Sequence, residues 1–317
     1  MKAARAPDRA LRTRDQTQTR SQVELGNGSG ESSRVAYLFA GPAVLLIGTF
    51  SIIGIAYSFW ISLHDYDVLA ARSPFVGLDN YRAALADDLF RLSLINTSYY
   101  VLLAVPSIMC GALILALLAD KAGRGSPLVK VIYFIPSITP GVVVSLLWVW
   151  LLRDDGALNQ VLGFAGIAGP NWLQDPRAAM PAIVIVATWQ AVGYYMVIFM
   201  AGLSDIPKMY YEAATIDGAG AFRRFCHVTV PLLRNTFVFV TAMLIIGSYQ
   251  VFTQVYIMTN GGPQNATEVV QAQIFRNAFQ YVGKTGYAAA MAWVLFAIIA
   301  LFIAVQMRFM RSRKLYD

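Results

Sequence analysis

The chain has 317 residues, of which 57% are hydrophobic and 14% charged, with a mean hydropathy of +0.54 and a formal net charge of +7. Soluble domains carry about a quarter charged residues, and one soluble core cannot hide this much apolar surface. The composition therefore argues against a soluble enzyme, a disordered chain and a nucleic-acid-binding module. The two cysteines, Cys110 and Cys226, are too few for a disulfide framework and have no neighbouring ligand at metal-binding spacing.

The chain opens with a polar stretch that differs from everything after it. Residues 1–34 are rich in Arg, Thr, Gln, Gly and Ser, and no apolar run precedes Val35. A signal peptide needs an apolar region close to its start. We therefore predict a retained, disordered cytoplasmic tail over 1–34.

Six windows that lack Asp, Glu, Lys and Arg follow this tail. A helix needs about 20 apolar residues to cross the hydrocarbon core of a bilayer, and each window reaches that length. We predict an all-α integral membrane protein with six transmembrane helices within residues 35–311, followed by a cytoplasmic tail at 312–317. The predicted spans are 36–63, 97–119, 131–152, 178–202, 236–258 and 285–307.

The distribution of basic residues predicts the orientation. With the N-terminus inside, 18 of the 25 lysines and arginines fall on the cytoplasmic side, as the positive-inside rule requires. An even number of spans then places both termini in the cytoplasm. The positive net charge is explained by topology, so it does not indicate a nucleic-acid partner.

The fourth and fifth predicted spans contain uncharged polar and aromatic residues near their centres. Side-chain amides offer donors and acceptors together, and aromatic rings stack on sugar faces, so these groups suit a polyhydroxyl ligand. The alternative is that they hold helices together through hydrogen bonds. Gln190 and Tyr194 lie four residues apart, as do Gln250 and Gln254, so each pair is predicted to share a helix face. The predicted substrate-pathway residues are Thr188, Trp189, Gln190, Tyr194, Ser248, Tyr249, Gln250 and Gln254.

The loop between these two spans, 203–235, is long and distinctive. Good helix formers over Lys208–Ile216 predict a short helix, which Asp217–Gly218 ends in a turn. A second helix is predicted over Ala221–Val230 and ends at Pro231. Two short helices without the length to span a membrane suggest a docking element, or alternatively an interfacial helix on the lipid headgroups.

The same loop carries a family motif. Its spacing is Glu-Ala-Ala, three residues, Gly, nine residues, an aliphatic residue, one more, another aliphatic residue and Pro. The residues at those positions are Glu212, Ala213, Ala214, Gly218, Val228, Val230 and Pro231. The segment resembles the EAA motif of permease subunits in ATP-binding-cassette importers, and Ile206, Pro207, Asp217 and Ala219 match the extended form found in carbohydrate-type permeases. Asn235 departs from the pattern, because family members often have a second proline there.

The resemblance covers about residues 36–310 and implies a type I importer permease fold with a cytoplasmic coupling helix. In that family the EAA loop sits in a cleft of a cytoplasmic ATPase and transmits its closure to the permease. The residues implied in ATPase coupling are Tyr210, Tyr211, Glu212, Ala213, Ala214, Asp217, Gly218, Ala219 and Pro231.

The resemblance also implies the assembly and the location. The expected partners are a second permease subunit, two copies of the ATPase and an extracytoplasmic substrate-binding protein, in a bacterial plasma membrane. ATP and Mg would bind the ATPase, so we expect no cofactor, metal ion or catalytic residue in this chain and no enzyme activity of its own. The solute is expected to be a sugar or a sugar-like compound. Alternatives are an importer permease for glycerol 3-phosphate or a glycerophosphodiester and, more remotely, a stand-alone secondary carrier.

Overall fold

The structure, a computed structural model, describes residues 29–67, 73–121 and 126–311. Over these residues the regular structure is helical, apart from one antiparallel bridge between His64 and Phe75. The helices are α1 (Ser29–Ser62), α2 (Asp79–Ala86), α3 (Asp88–Lys121), α4 (Ser126–Ile138), α5 (Gly141–Leu151), α6 (Ala157–Phe164), α7 (Ala179–Ser204), α8 (Lys208–Ile216), α9 (Ala221–Arg224), α10 (Val230–Leu232), α11 (Arg234–Tyr249), α12 (Thr253–Met258), α13 (Val270–Phe275) and α14 (Thr285–Arg311). Two π-helical turns, Phe225–Thr229 and Arg276–Gln280, join α9 to α10 and follow α13.

Both predicted tails fall largely outside the described residues. This applies to residues 1–28 of the predicted disordered segment and to 312–317. Helix α1 already begins at Ser29, inside the tail predicted over 1–34.

Five helical segments are long and apolar enough to cross a membrane, and the count reaches six if one bent pair is a single span. The prediction of a continuous helix over 131–152 is wrong. Helices α4 and α5 meet there at 97°, with Thr139 and Pro140 between them. Pro140 lacks a backbone N–H and disfavours helical dihedrals in the residue before it, so the chain turns at this point.

The predicted span 236–258 is also interrupted. Helix α11 ends at Tyr249 and α12 begins at Thr253. Phe252, with φ −141° and ψ −61°, departs from helical dihedrals. Broken helices expose backbone groups that need partners, and a membrane tolerates them only where protein or a water-filled cavity surrounds them.

The described residues up to Ser58 belong to one compact unit, and those from Phe59 onwards belong to another. In the first unit, the side chains described along α1 are largely exposed and apolar, as Phe39 and Phe50 show. A helix that is apolar all around and has the length to span suits a lipid environment.

The core of the second unit lies along α3, α7 and α11. Small residues of α3, among them Ala104, Ala112 and Ala116, are fully buried. Such residues let helix backbones approach closely where no hydrophobic effect drives association. A second cluster joins α3 and α14 around Phe90, Tyr249 and Met291.

Polar contacts hold the π turn Arg276–Gln280 and the loop before α13 together. Arg276 donates to Glu268 Oε1 at 2.6 Å, and its side chain also donates to Asn260. Both partners are largely buried, with side-chain exposures of 13% for Arg276 and 3% for Glu268. Asn96 of α3 donates to the carbonyls of Asn265 and Glu268. The loop 259–268 is therefore anchored to the bundle.

Candidate functional site

A cavity of about 390 Å³ lies among α3, α4, α7, α11 and α12. The two helix interruptions described above both border it, through Ser137 before the first break and Gln250, Val251 and Phe252 in the second. None of the described residues that line it is Asp, Glu, Lys, Arg or His. The cavity therefore offers hydroxyl, amide and aromatic groups in an uncharged setting.

Five of the eight predicted pathway residues line this cavity: Gln190, Tyr194, Ser248, Gln250 and Gln254. The other three predicted pathway residues do not line this cavity. Thr188 is half-buried, and its hydroxyl is buried without a hydrogen-bond partner. Trp189 is exposed and meets Trp148 edge-on, with 5.6 Å between the ring centroids. Tyr249 is buried in the cluster with α14.

The geometry of a helix explains why these three residues lie outside the cavity. Successive helical residues point about 100° apart, so the neighbours of a cavity residue face other helices or lipid. The prediction that Gln250 and Gln254 share one helix face is also wrong, because α11 has ended before Gln250. Both side chains still reach the cavity, since the break turns the chain around its edge.

Sequence reasoning missed several lining residues. Tyr100 of α3 and Ser137 of α4 belong to spans other than the fourth and fifth, and Phe252 belongs to the unexpected break. Tyr195 and Thr253 also border the cavity and adjoin predicted positions. A serine within Pro136-Ser137-Ile138-Thr139-Pro140 is a signal that could have been used, because prolines frame it.

Hydrogen bonds cross the cavity wall. Gln254 Nε2 donates to Gln190 Oε1 at 3.0 Å, and Gln190 Nε2 donates to the carbonyl of Thr139 at 3.1 Å. Ser137 Oγ donates to the carbonyl of Gln190 at 2.7 Å. The break between α4 and α5 is thus tied to α7 and α12.

A second site lies beyond the end of α7. Helix α8 covers the predicted range Lys208–Ile216, and Gly218 follows it at φ +74°. The N–H of Gly218 donates to the Thr215 carbonyl and that of Ala219 to the Ala214 carbonyl. This pair of bonds is a Schellman motif, which ends a helix by using a residue in the left-handed region.

Side-chain contacts make this two-helix element rigid. The hydroxyls of Tyr211 and Thr229 share a hydrogen bond at 3.1 Å, and Arg224 donates to Thr215 Oγ1 at 3.0 Å. The prediction that the second helix ends at Pro231 is wrong, because α10 continues to Leu232. The π turn Phe225–Thr229 precedes this proline, at the place where a missing N–H interrupts an α-helical ladder.

Most of the predicted coupling residues lie at exposed positions of this element or in its turn, whereas Tyr211 packs inwards against the bundle core. Glu212 and Tyr210 are exposed and Tyr211 is half-buried. Exposed apolar side chains accompany them, notably Ile216 at 87% and Phe222 at 78%. The remaining predicted positions are exposed, as for Ala213, Asp217, Gly218 and Pro231, or half-buried, as for Ala214 and Ala219.

A helical membrane protein that holds an uncharged polar cavity in its bundle and a rigid two-helix element at the end of a span has the design of a transport permease. The family described as "Binding-protein-dependent transport system inner membrane component" matches residues 93–314, and the chain belongs to this family. It is therefore a multi-pass membrane permease of the ATP-binding-cassette importer class.

Individual relatives agree. The chain is 35% identical to a probable ABC transporter permease protein of Bacillus subtilis, YesP, over 84% of this chain and 86% of the relative. It is 34% identical to the lactose transport system permease protein LacF of Rhizobium radiobacter, over 88% and 94%. Among solved structures, a bacterial ABC transporter that imports the acidic polysaccharide alginate matches with a TM-score of 0.74 and 19% identity, over 90% of this chain and 98% of that chain. The last match shows the type I fold.

Proposed function

We propose that this chain forms half of the translocation pathway of an importer for a sugar or sugar-like solute, and that its α8–α10 element couples the pathway to a cytoplasmic ATPase. The single observation that carries the solute class is the cavity. Its lining contains amides, hydroxyls and aromatic rings and, among the described residues, no ionisable acid or base apart from tyrosine. Such a surface recognises hydroxyl-rich, uncharged ligands. The name of the lactose permease relative supports the same class.

The coupling proposal rests on the exposed face of the two-helix element. Glu212 stands there as an exposed carboxylate, beside exposed Met209 and Ile216. Apolar side chains rimmed by a charge are typical of a protein interface. A rigid knob transmits a hinge motion that a flexible loop would absorb, and the Schellman turn supplies that rigidity.

The proposed assembly contains a second permease, two ATPase subunits and an extracytoplasmic substrate-binding protein, in a bacterial plasma membrane with both termini in the cytoplasm. The anchored loop 259–268 is the proposed contact for the binding protein, through Asn260–Pro263. ATP and Mg bind the ATPase in this proposal, and the chain itself binds no cofactor and catalyses no reaction.

An anionic solute such as glycerol 3-phosphate or a glycerophosphodiester is the second candidate. It would favour Arg or Lys in the pathway, and the described lining of this cavity has neither. The second permease or the binding protein would have to supply that charge. A stand-alone carrier would need ionisable groups for a coupling ion within its spans, which makes it the weakest candidate.

The test is reconstitution of the whole transporter, purified by a tag on this chain, with uptake measured in proteoliposomes against a panel of sugars and glycerol phosphates. We expect ATP-dependent uptake of a sugar and its loss in Glu212→Lys, because the reversed charge faces the ATPase. Asp79→Lys is the matched control, since Asp79 is an exposed acid outside both the α8–α10 element and the proposed binding-protein contact. Uptake at the wild-type rate by an intact Glu212→Lys complex would exclude the coupling role, and uptake of glycerol phosphates alone would exclude the sugar.

A further inference from the structure

A side chain next to the break in the third span interrupts the backbone hydrogen bonding of the neighbouring helix α7. Ser137 Oγ donates to the carbonyl of Gln190 and accepts from the N–H of Tyr194 at 3.2 Å. In a regular α-helix these two backbone groups pair with each other. The serine hydroxyl of α4 thus bridges the ladder of α7 at the level of the cavity, and such insertions mark points where helices bend.

Gly193 permits this contact. A Cβ at that position would overlap the carbonyl oxygen of Tyr133, a backbone atom of α4. The backbones of α4 and α7 are therefore in direct contact, and α4 cannot withdraw from a larger side chain without moving the break. Ser137 and Gly193 together hold Thr139 beside Gln190.

The fixed carbonyl of Thr139 determines the orientation of two carboxamides. A backbone carbonyl can only accept, so the Gln190 amide must turn its NH₂ group towards Thr139. The Oε1 atom of Gln190 then faces α12, and Gln254 donates a hydrogen bond to it from its own NH₂ group. The acceptor oxygen of Gln254 remains, and none of the described residues donates a hydrogen bond to it. Gln254 lines the cavity together with Gln250 and Tyr194.

We propose that Thr139, Gln190 and Gln254 form a polarised relay in which Gln190 is a positioning residue and the oxygen of Gln254 accepts a hydrogen bond from a hydroxyl of the solute. The proposal rests on the proposed function, because it needs a hydroxyl-bearing solute in this cavity. It assigns the two glutamines different roles, although both face the same space. Gln190 uses both its NH₂ group and its oxygen in hydrogen bonds to the protein, and Gln254 presents the free acceptor oxygen.

The experiment measures discrimination, because uptake affinity in a binding-protein-dependent system also contains the affinity of the binding protein. Saturating binding protein is loaded with the transported solute or with each of its monodeoxy analogues, and uptake rates by the complete transporter are compared. In the wild type we expect one missing hydroxyl to lower the rate about tenfold, as loss of one buried hydrogen bond predicts. Gln254→Met should reduce that ratio to about one, because the acceptor is gone.

A double-mutant cycle separates positioning from direct contact. Gln190→Met should also reduce the ratio, and Gln190→Met with Gln254→Met should be no worse than Gln254→Met alone, because Gln190 acts only through Gln254. Gln190→Leu is the second variant if Gln190→Met fails to assemble. It is of similar size and can neither donate to Thr139 nor accept from Gln254. Gln160→Met is the matched control, because Gln160 of helix α6 is exposed and also donates to a backbone carbonyl, that of Asp155.

Two outcomes would overturn the relay. An unchanged ratio in Gln190→Met or Gln190→Leu would show that Gln190 positions nothing. Effects that multiply in the double variant would show that Gln190 meets the solute by itself. If the wild type takes up a glycerol phosphate instead of a sugar, the proposed solute class fails, and the same cycle on deoxy analogues of that solute still decides the relay.

Discussion

At the scale of single residues, two glycines occupy positions where the backbone geometry excludes or strains any side chain. Gly218 ends α8 at φ +74°, and a Cβ added there would have nothing within 4 Å, so its constraint is purely conformational. Gly193 lies inside helix α7 and has a backbone atom in the way of any side chain. The first glycine is needed for its dihedral angle and the second for its lack of volume.

We predict that Gly218→Ala weakens the coupling element and Gly220→Ala does not. A left-handed alanine costs about 1 kcal/mol, so the turn after α8 loosens and less ATPase should co-purify with the permease. Gly220 also has nothing within 4 Å, but its φ is −67°, which alanine adopts freely. Retention of ATPase after affinity purification, together with the thermal midpoint of the complex, measures the difference. Equal behaviour of the two variants would contradict the conformational argument.

Buried charge is the other residue-scale feature. Glu268 and Arg276 are both largely withdrawn from water, which is tolerated only because each is paired and hydrogen-bonded. Gly261 belongs to the same arrangement, since a Cβ there would meet the carboxylate of Glu268. These contacts fix the conformation of the Asn260–Pro263 segment, the proposed contact for the binding protein.

At the scale of elements, one carboxylate joins three helices. Asp87 follows α2 and caps α3, where the N–H groups of Leu89 and Phe90 donate to its Oδ1. Its Oδ2 accepts from the hydroxyl of Tyr287 on α14 at 2.8 Å. Partial burial raises the pKa of Asp87, but the hydrogen bonds from Tyr287 and the two amides outweigh it and leave the pKa below its ordinary value of 3.8.

This lowered pKa predicts the pH dependence of the junction. An acid whose pKa is lowered by folding stabilises the folded chain above its ordinary pKa, and the contribution is lost as the pH falls through the lowered value. We expect Tyr287→Phe to lower the thermal midpoint at pH 7, because the variant loses one charge-assisted hydrogen bond that stabilises the folded state by about 1.5 kcal/mol. The difference from the wild type should shrink as the pH falls from 3.8 through the lowered pKa of Asp87.

Tyr281→Phe serves as the comparison for that measurement. Tyr281 is exposed and its ring lies near the Lys284 ammonium, 5.4 Å from the ring centroid, a contact that phenylalanine preserves. Its midpoint should follow the wild type at every pH. A Tyr287→Phe deficit that persisted unchanged at low pH would mean that packing, and not the Asp87 hydrogen bond, explains it.

At the scale of the whole molecule, the bundle that begins at Phe59 presents apolar side chains outwards. Leu102 of α3, Ile185 of α7 and Leu301 of α14 are exposed, as in a protein whose surroundings are lipid and other membrane subunits. The polar groups concentrate in the cavity, in loop 259–268 and in the α8–α10 element. We infer that the last two lie on opposite sides of the membrane.

Single-cysteine labelling tests this topology. In a background with Cys110→Ser and Cys226→Ser, Asn265→Cys and Ile216→Cys each place one thiol at an exposed position. We expect a membrane-impermeant maleimide to label Asn265→Cys in intact cells or spheroplasts and Ile216→Cys only after permeabilisation. Labelling of Ile216→Cys in intact spheroplasts, with Asn265→Cys protected, would reverse the orientation inferred from the basic residues.

The sequence by itself determined the class, the helical character and the two short helices with their glycine turn after α7. Apolar length and charge placement mark spans because the bilayer imposes both, and a glycine at a turn reports a local dihedral, so Lys208–Ile216 and the turn at Gly218 were predictable. Pro140 favours a break in the third span, but only the tertiary structure decided where the fifth span breaks and which polar residues share a cavity. Those outcomes depend on distant partners: Ser137 on Gln190, Gln190 on Thr139 and Gln254, and Tyr249 on a cluster with α14. Helical spacing along one segment cannot specify contacts that another segment completes.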